Sequence, residues 1–527
     1  MPSRVRTVFV GATAVVASLA LPTASFADHD HDRDKKSSVS TGPTTTVSPY
    51  VLPVANGVSV TSLLTVGDKP AGNGYRMVGI PDGLGAYRSG RDLTVYMNQE
   101  LGATSGIVRA HGQKGAFVSK LRIDARTGAV KSGSDLITSV KYWDYPGQTW
   151  GSAPVAPAGA AAGTHVAAFN RFCSGALTDP GQLFNRRTGK GYYGRVYFAN
   201  EEGGDESRAF GVTADGQAVQ LPRLGLFSWE NTLAAENKTD TTLVLGNEDG
   251  GSGQIRVYAG RKQSSGSPVE KAGLTNGTLG VIDVASHAVA TDAEFRAKYG
   301  KNAPVKVTVN QLDWTVNGKQ QNIDAEKAGL SLNRIEDGAF DPNRPNDYYF
   351  VTTAGGDSTP AQAGVPRNGG GLWRLRFADI ERPEKGGTLT LLLDGSEAPY
   401  LNMPDNIAID HEGNLLLQED PGNNPHISRV LAYRIKDGAL GVLAQFDPKR
   451  FAPNADPASF LTTDEESSGI IDASDLLGEG TFLLDAQVHT AKGLAAGTGP
   501  GTVEEYVENG QLLTLTVKSW KSVYAAK

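Results

Sequence analysis

PDNIAIDHEGNLLLQEDPGN, residues 404–423, reads as a single β-hairpin. A polar opening at Asp405 leads into a short apolar strand, then a turn rich in Asp, Gly and Asn. An apolar run ending in Glu419-Asp420 follows. Five other stretches repeat this plan: IPDGLGAYRSGRDLTVYMNQELG (80–102), CSGALTDPGQLFNRRTGKGYYGRVYFANEEGG (173–204), ENTLAAENKTDTTLVLGNEDGG (230–251), EDGAFDPNRPNDYYFVTTAGGD (336–357) and SSGIIDASDLLGEGTFLLDAQVHT (467–490). The turn chemistry marks hairpins, and runs such as LTVYM, YYFVT and NLLLQ suit strands buried on both faces. One such hairpin cannot cover its own faces, so the units must pack on one another. The fold class that follows is all-β, a six-bladed β-propeller with long loop insertions and few short helices. Blade one is expected near 50–150 and blade six near 440–527. TDAEFRAKYG (291–300), with a Thr-Asp start and a Gly stop, is expected as a short surface helix. A pair of β-sandwiches is the rival architecture.

Composition agrees. Of 527 residues, 64 are Gly and 27 Pro, too many turn formers for a helical bundle, and no three-residue period suggests collagen. With 39% hydrophobic residues the chain can bury a large core.

The N-terminus carries Arg4 and Arg6, an apolar run from Val8 to Leu21, and Ser25-Phe26-Ala27. This pattern predicts a secretory signal (1–27) cleaved after Ala27 and hence an extracellular protein. Removing the two arginines takes the net charge from −7 to −9, which offers nucleic acid or anionic lipid no basic footprint. Residues 28–48, charged and then rich in Ser and Thr, are expected to be a disordered leader before a single catalytic propeller domain over 49–527. A monomer is expected, because closed propellers leave few free strand edges.

Around a propeller axis the repeat gathers its polar ends. The openings are Asp82, Cys173, Glu230, Glu336 with Asp337, Asp405 and Glu466. The strand ends are Glu100, Glu201-Glu202, Glu248-Asp249, Glu419-Asp420, and Asp485 with Gln487 and His489. Two unit charges about 4 Å apart repel by about 4 kcal/mol even at an effective dielectric near 20. Bound multivalent cations relieve that repulsion at neutral pH. Carboxylate and carbonyl oxygens suit Ca2+, and a thiolate among carboxylates points to a transition metal, iron first. Taken singly, each acid is equally a turn cap, and Cys173, the sole cysteine, a small buried hydrophobe. His489 is placed to support a metal ligand. No GxSxG, HExxH or GxxxxGK[ST] pattern is present.

These motifs resemble the PhoX-type alkaline phosphatases and, more loosely, the phytase-like propellers. Asn98-Gln99-Glu100 is similar to the family's Asn-His-Glu, Cys173-Ser174-Gly175 to its Cys-small-Gly, and Arg334-Ile335-Glu336 to its Arg-Pro-Glu. Glu201-Glu202, Trp229-Glu230 and Pro404-Asp405-Asn406 also find counterparts. The resemblance implies an exported phosphoric monoester hydrolase acting on small phosphate esters with Fe3+ and Ca2+ at the channel mouth. It implies iron held by Cys173, Glu201, Glu230 and Glu336, and calcium near Glu100, Asp405, Glu419, Asp420 and Asp485. Arg334 would grip the phosphate, so Arg334, Cys173 and Glu336 are the expected catalytic set. Two alternatives stay open at this point: a calcium-only propeller hydrolase (a phytase-like phosphodiesterase or a lactonase), and a non-catalytic propeller braced by calcium.

Overall fold

The computed structural model describes residues 36–70 and 72–525. The predicted signal segment, residues 1–27, lies outside them.

Six antiparallel units follow one another along the chain. Blade one is Pro81–Ser89, Asp92–Gln99, Phe117–Asp124 and Val130–Asp135. Blade two runs from Ala176–Leu177 through Val196–Asn200, Ala209–Thr213 and Gln217–Gln220, with Ser139–Asp144 added in parallel. Blade three is Trp229–Ala234, Thr241–Glu248, Ile255–Arg261 and Thr278–Val284, and blade four is Ile335–Asp341, Arg344–Thr352, Gly371–Phe377 and Gly387–Leu393. An inserted strand, Val305–Leu312, pairs with the outer strands of both and fuses them into one nine-stranded sheet. Blade five is Pro404–Ile409, Asn414–Glu419, Arg429–Arg434 and Ala439–Phe446; blade six is Glu465–Asp472, Thr481–Val488 and Asn509–Val517. Each first strand packs on the next, and the cycle closes from Glu465–Asp472 back to Pro81–Ser89.

Residues near 50–65 therefore do not open blade one. Val58–Thr65 pairs antiparallel with Asn509–Val517 and completes blade six, so the two ends of the domain lock the ring. Residues 139–151 likewise belong to blade two. The expected disordered leader is corrected as well. Residues 28–35 lie outside the description, but Ser38–Thr41 forms a strand parallel to Val58–Thr65. Its Ser and Thr hydroxyls bond across the pair, Ser38 to Ser59 at 2.9 Å and Ser40 to Thr61 at 2.8 Å. A segment that buries no apolar side chain, its Val39 exposed, is held here by backbone pairing to an open edge, which composition does not reveal.

Six apolar clusters fill the six spaces between adjacent blades. The second strand of each blade serves two of them, because alternate side chains face opposite neighbours. Val244 packs toward blade two, while Leu243 and Leu245 pack toward blade four. The apolar runs are continuous for this reason. The expected helix is present at Asp292–Tyr299, with the Thr291 side chain accepting from Glu294 N and Gly300 closing it at φ 62°. The longer helix Gly318–Ala328, in the same insertion, was not anticipated.

Candidate metal centre

The repeat builds the site by three local devices. At the first, the opening strand is irregular: register shifts interrupt pairing near Asp82, Glu230, Glu336, Asp405 and Ser468. Such bulges bend a strand and re-aim side chains. At the second, an amide on the second strand clasps the next blade's opening. Asn98 Nδ2 donates to Cys173 O at 2.6 Å, and Asn247 Nδ2 to Glu336 O at 2.5 Å. At the third, the residue two places before each opening residue accepts from a strand-end N–H. Ile80 O takes Glu100 N at 2.9 Å, Arg171 O takes Glu202 N at 2.8 Å, Ser228 O takes Asp249 N at 3.1 Å, Met403 O takes Asp420 N at 2.9 Å and Asp464 O takes His489 N at 3.0 Å. Arg334 O takes Thr353 N at 2.9 Å in blade four. The rim of the mouth is thus made of Ile80, Arg171, Ser228, Arg334, Met403 and Asp464.

These devices bring together three groups, Asp82–Glu100–Cys173, Cys173–Glu202–Glu230 and Glu230–Glu336–Asp405, in each of which the ligand atoms lie within 4.8 Å of one another. The groups share Cys173 and Glu230, so they form one continuous bed across blades one to five. Cys173 Sγ lies 3.2 Å from Asp82 Oδ2. Two glycines permit that approach: a Cβ on Gly83 would stand 2.1 Å from Gly175 N, and one on Gly175 2.5 Å from the Tyr197 hydroxyl. This is the physical meaning of the Cys-Ser-Gly sequence. Below the acids the axis opens into a cavity of about 1190 Å3, walled by Leu84, Ala176, Leu233, Ala339, Ile407 and Ile470, one from each inner strand.

Of the expected site residues, Cys173, Glu230, Glu336, Glu100 and Asp405 lie in this bed. Asp420 and Asp485 border it: burial first, then Asp249 and to a lesser extent Glu202 and Asp420, raise the Glu336 carboxyl, and burial first, then Asp82 and Glu466, raise that of Asp485. Arg334 stands at its edge, with Nε 2.9 Å and Nη2 3.1 Å from Asp249 and Nη2 3.0 Å from Glu336. Two of the expected residues point elsewhere in this structure. Glu201 turns away from the bed and gives both oxygens to Arg208, at 2.7 Å each. Glu419 does the same with Arg429 and His426, and these two partners hold its carboxyl down to about 2 despite burial. In a strand the neighbouring residue faces the other way. Glu202 and Asp420 are consequently the members of their pairs that reach the mouth.

Burial first, and mutual repulsion second, push the carboxyls of Asp82, Glu230 and Asp405 well above the usual carboxylate range. Glu202 is pushed up to about 8 and Glu466 to about 7. Burial likewise lifts the Cys173 thiol, and Asp82 and Glu230 add to it. His489 stands between Glu508, 2.8 Å from Nδ1, and Glu466, 3.8 Å from Nε2, and is raised to about 11. Several buried polar atoms have no partner among the described residues: both Asp485 oxygens, Glu230 Oε1, both Asn406 amide atoms and Gln487 Oε1. Buried oxygens left unpaired in such number fit a set of hard cations, and the thiol at their centre fits a transition metal.

The sequence gathers Asp82, Glu202, Asp249 and Glu466 at the mouth, yet the implied ligand set leaves them out; Asp82 and Glu202 lie in the bed, and Arg171 was missed altogether. Arg171 spans Glu100 (2.5 Å) and Glu202 (2.6 Å) over the bed. The signal was available: Arg171-Phe172-Cys173 and Arg334-Ile335-Glu336 place an arginine at the same offset before an opening residue.

Comparisons with known proteins agree with this architecture. Residues 209–466 match the family described as alkaline phosphatase PhoX, a span that contains Glu230, Glu336 and Asp405 but not Cys173. Among solved structures, Pseudomonas fluorescens PhoX in complex with vanadate, described as a transition state analogue, aligns with TM-score 0.59 at 13% identity, over 89% of this chain and 97% of that one. A luciferin-regenerating enzyme aligns at TM-score 0.29 and 10% identity over 83% and 92%. A GH43_1 enzyme from Xanthomonas citri aligns at 0.27 and 11% over 83% and 87%. A search of curated proteins finds no match. Among the described residues no helix is long and apolar enough to cross a membrane.

Proposed function

We propose that this chain, whose residues 209–466 match the alkaline phosphatase PhoX family, is a secreted phosphatase hydrolysing phosphate monoesters at a mixed iron and calcium bed in the propeller mouth. The observation that carries the reading is the run of three linked ligand groups meeting at Cys173 and Glu230. Cys173, with Glu202, Glu230 and Glu336, would hold iron, because a buried thiol is kept as thiolate by a metal beside it. Asp82, Glu100, Asp405, Asp420 and Asp485 would hold calcium through oxygen alone. Bound there, such cations supply Lewis acidity toward phosphoryl oxygens and lower the pKa of bound water.

The chain's own residues do the remaining work. A phosphate monoester is a dianion and is repelled by a protein of negative net charge, so the mouth must reverse the local field. Arg334, fixed through Nε and Nη2 by Asp249 and Glu336, keeps Nη1 without a partner among the described residues and would donate from it to a phosphoryl oxygen. His489, held by Glu508, keeps a positive charge beside Glu466. Phosphoryl transfer needs mainly positioning and charge stabilisation, which this arrangement offers without a serine nucleophile. The test is elemental analysis of protein purified from its native export route, paired with hydrolysis of p-nitrophenyl phosphate before and after chelation. Iron and calcium together with chelator-sensitive turnover support the reading. Metal-free protein that turns over the ester, or loaded protein that does not, would sink it.

A further inference from the structure

Of the six rim positions, two carry cations, Arg171 in blade two and Arg334 in blade four. The two are built alike. Arg171 N donates to Leu101 O and Arg334 N to Gly250 O, both at 2.9 Å, and each acceptor follows the strand-end acid of the preceding blade. Each guanidinium then bonds that same acid, Glu100 for Arg171 and Asp249 for Arg334. Each also bonds an acid of its own blade, Glu202 and Glu336 respectively. Both backbones are left-handed, φ 50° at Arg171 and φ 55° at Arg334, a conformation the rim residues Ile80 (φ 54°) and Met403 (φ 51°) share, so the repeat fixes where each arginine starts. That conformation is unfavourable for a long side chain and persists only where surrounding bonds fix it.

The side chain of Arg171 is 49% exposed, while beneath it Glu100 is buried and Glu202 half-buried. Nε and Nη2 are engaged below, and Nη1 makes no hydrogen bond among the described residues. An anion entering the mouth meets Arg171 on one side of blade three and Arg334 on the other. Cations bound by Glu100 and Glu202 would take up the charge that now compensates Arg171, leaving a guanidinium at the rim in want of an anion.

We propose that Arg171 is a second phosphoryl-binding arginine, the blade-two counterpart of Arg334, and that the pair selects dianionic phosphomonoesters. The proposal rests on the phosphatase reading and deepens it. Two forks addressing one group favour a terminal phosphoryl with three free oxygens over a diester with two.

The experiment compares the full-length wild type with Arg171→Gln and Arg171→Lys in three measurements: inorganic phosphate binding by calorimetry, KM and kcat for p-nitrophenyl phosphate, and metal content. Arg171→Gln is expected to weaken phosphate binding and raise KM by about tenfold, the worth of one hydrogen bond to a charged group, with metal content kept and kcat less affected. Arg171→Lys should fall between, since it retains charge without the fork. In Arg171→Ala, added guanidinium ion should recover part of the lost phosphate affinity. Wild-type phosphate affinity and KM in Arg171→Gln would overturn the proposal, as would loss of metal with phosphate affinity unchanged in Arg171→Lys. A wild type that neither binds phosphate nor cleaves the ester overturns the phosphatase reading, and this proposal with it.

Discussion

Arg208 closes on Glu201 with Nε and Nη2, one 2.7 Å bond to each carboxylate oxygen, and both side chains are buried, 2% and 5% exposed. The same pairing recurs one strand-turn later in blades three and five, where Arg256 meets Glu248 at 2.7 Å and Arg429 meets Glu419 at 2.6 Å. An acid at this place is a brace between the second and third strands of its blade. The acid one residue on serves the mouth.

Glu201→Gln should therefore destabilise the fold, since it leaves the Arg208 charge buried with its pairing broken. Such a break costs about 3–5 kcal/mol. Glu202→Gln should leave the melting temperature of metal-free protein level or higher, yet lower its metal content and activity. Thermal melts and elemental analysis of the two variants give opposite patterns on this account, and matching patterns would contradict it.

Cys173 separates the chemical alternatives. With iron held by the thiolate, Cys173→Ser loses the bound iron, any thiolate-to-iron absorption and most of the turnover, while calcium-dependent stability persists. A calcium-only hydrolase would keep its activity in the same variant. A non-catalytic propeller would show calcium-dependent stability and no turnover in either form. Visible absorption spectra, p-nitrophenyl phosphate assays and melts with and without calcium distinguish all three.

The blades were legible because each second strand is buried on both faces, so its apolar run, from Thr241 to Gly246 for instance, is not diluted by alternation. The six polar openings were legible because each precedes its blade's apolar run at a comparable place, on or just before the first strand. What the residues could not say is which of two adjacent acids faces the axis. Glu201 and Glu202 differ only in strand parity, and the arginine that settles it, Arg208, lies across a turn from both. The ring closure was hidden too. Val58–Thr65 looks like any other strand until its partner Asn509–Val517 is known, and that pairing spans almost the whole chain.

Chelated protein should lose stability as the pH rises through neutrality. Glu466 and Glu202 are raised in the folded state to about 7 and about 8, from an ordinary value of 4.5. A group whose folded pKa is raised favours the fold most fully below its unfolded pKa, and this contribution is lost as the pH climbs through the folded value. The melting temperature of the metal-free form should accordingly fall between about pH 5 and about pH 9. The gain on adding calcium should grow over the same range, because cations replace protons on these carboxylates. A flat profile in chelator would mean that the carboxylates find other compensation.

Asp485 gives the sharpest single-residue test of the bed. It is fully buried, neither carboxylate oxygen has a hydrogen-bond partner among the described residues, and burial with Asp82 and Glu466 nearby pushes its carboxyl well above the usual range. Without a cation, burial favours the protonated carboxyl there in the folded protein, while the unfolded chain favours the ionised one at neutral pH, and that difference costs stability. Asp485→Asn removes that linkage at nearly constant volume. In chelator the variant should melt above wild type at about pH 8, with the difference vanishing below about pH 3, where the wild-type carboxyl is protonated in both states. Saturating calcium should reverse the order, because only the wild type offers a carboxylate to the ion, and one fewer calcium should bind to the variant. Equal melts in chelator across this range, with calcium content unchanged, would show that Asp485 neither strains the empty bed nor helps to fill it.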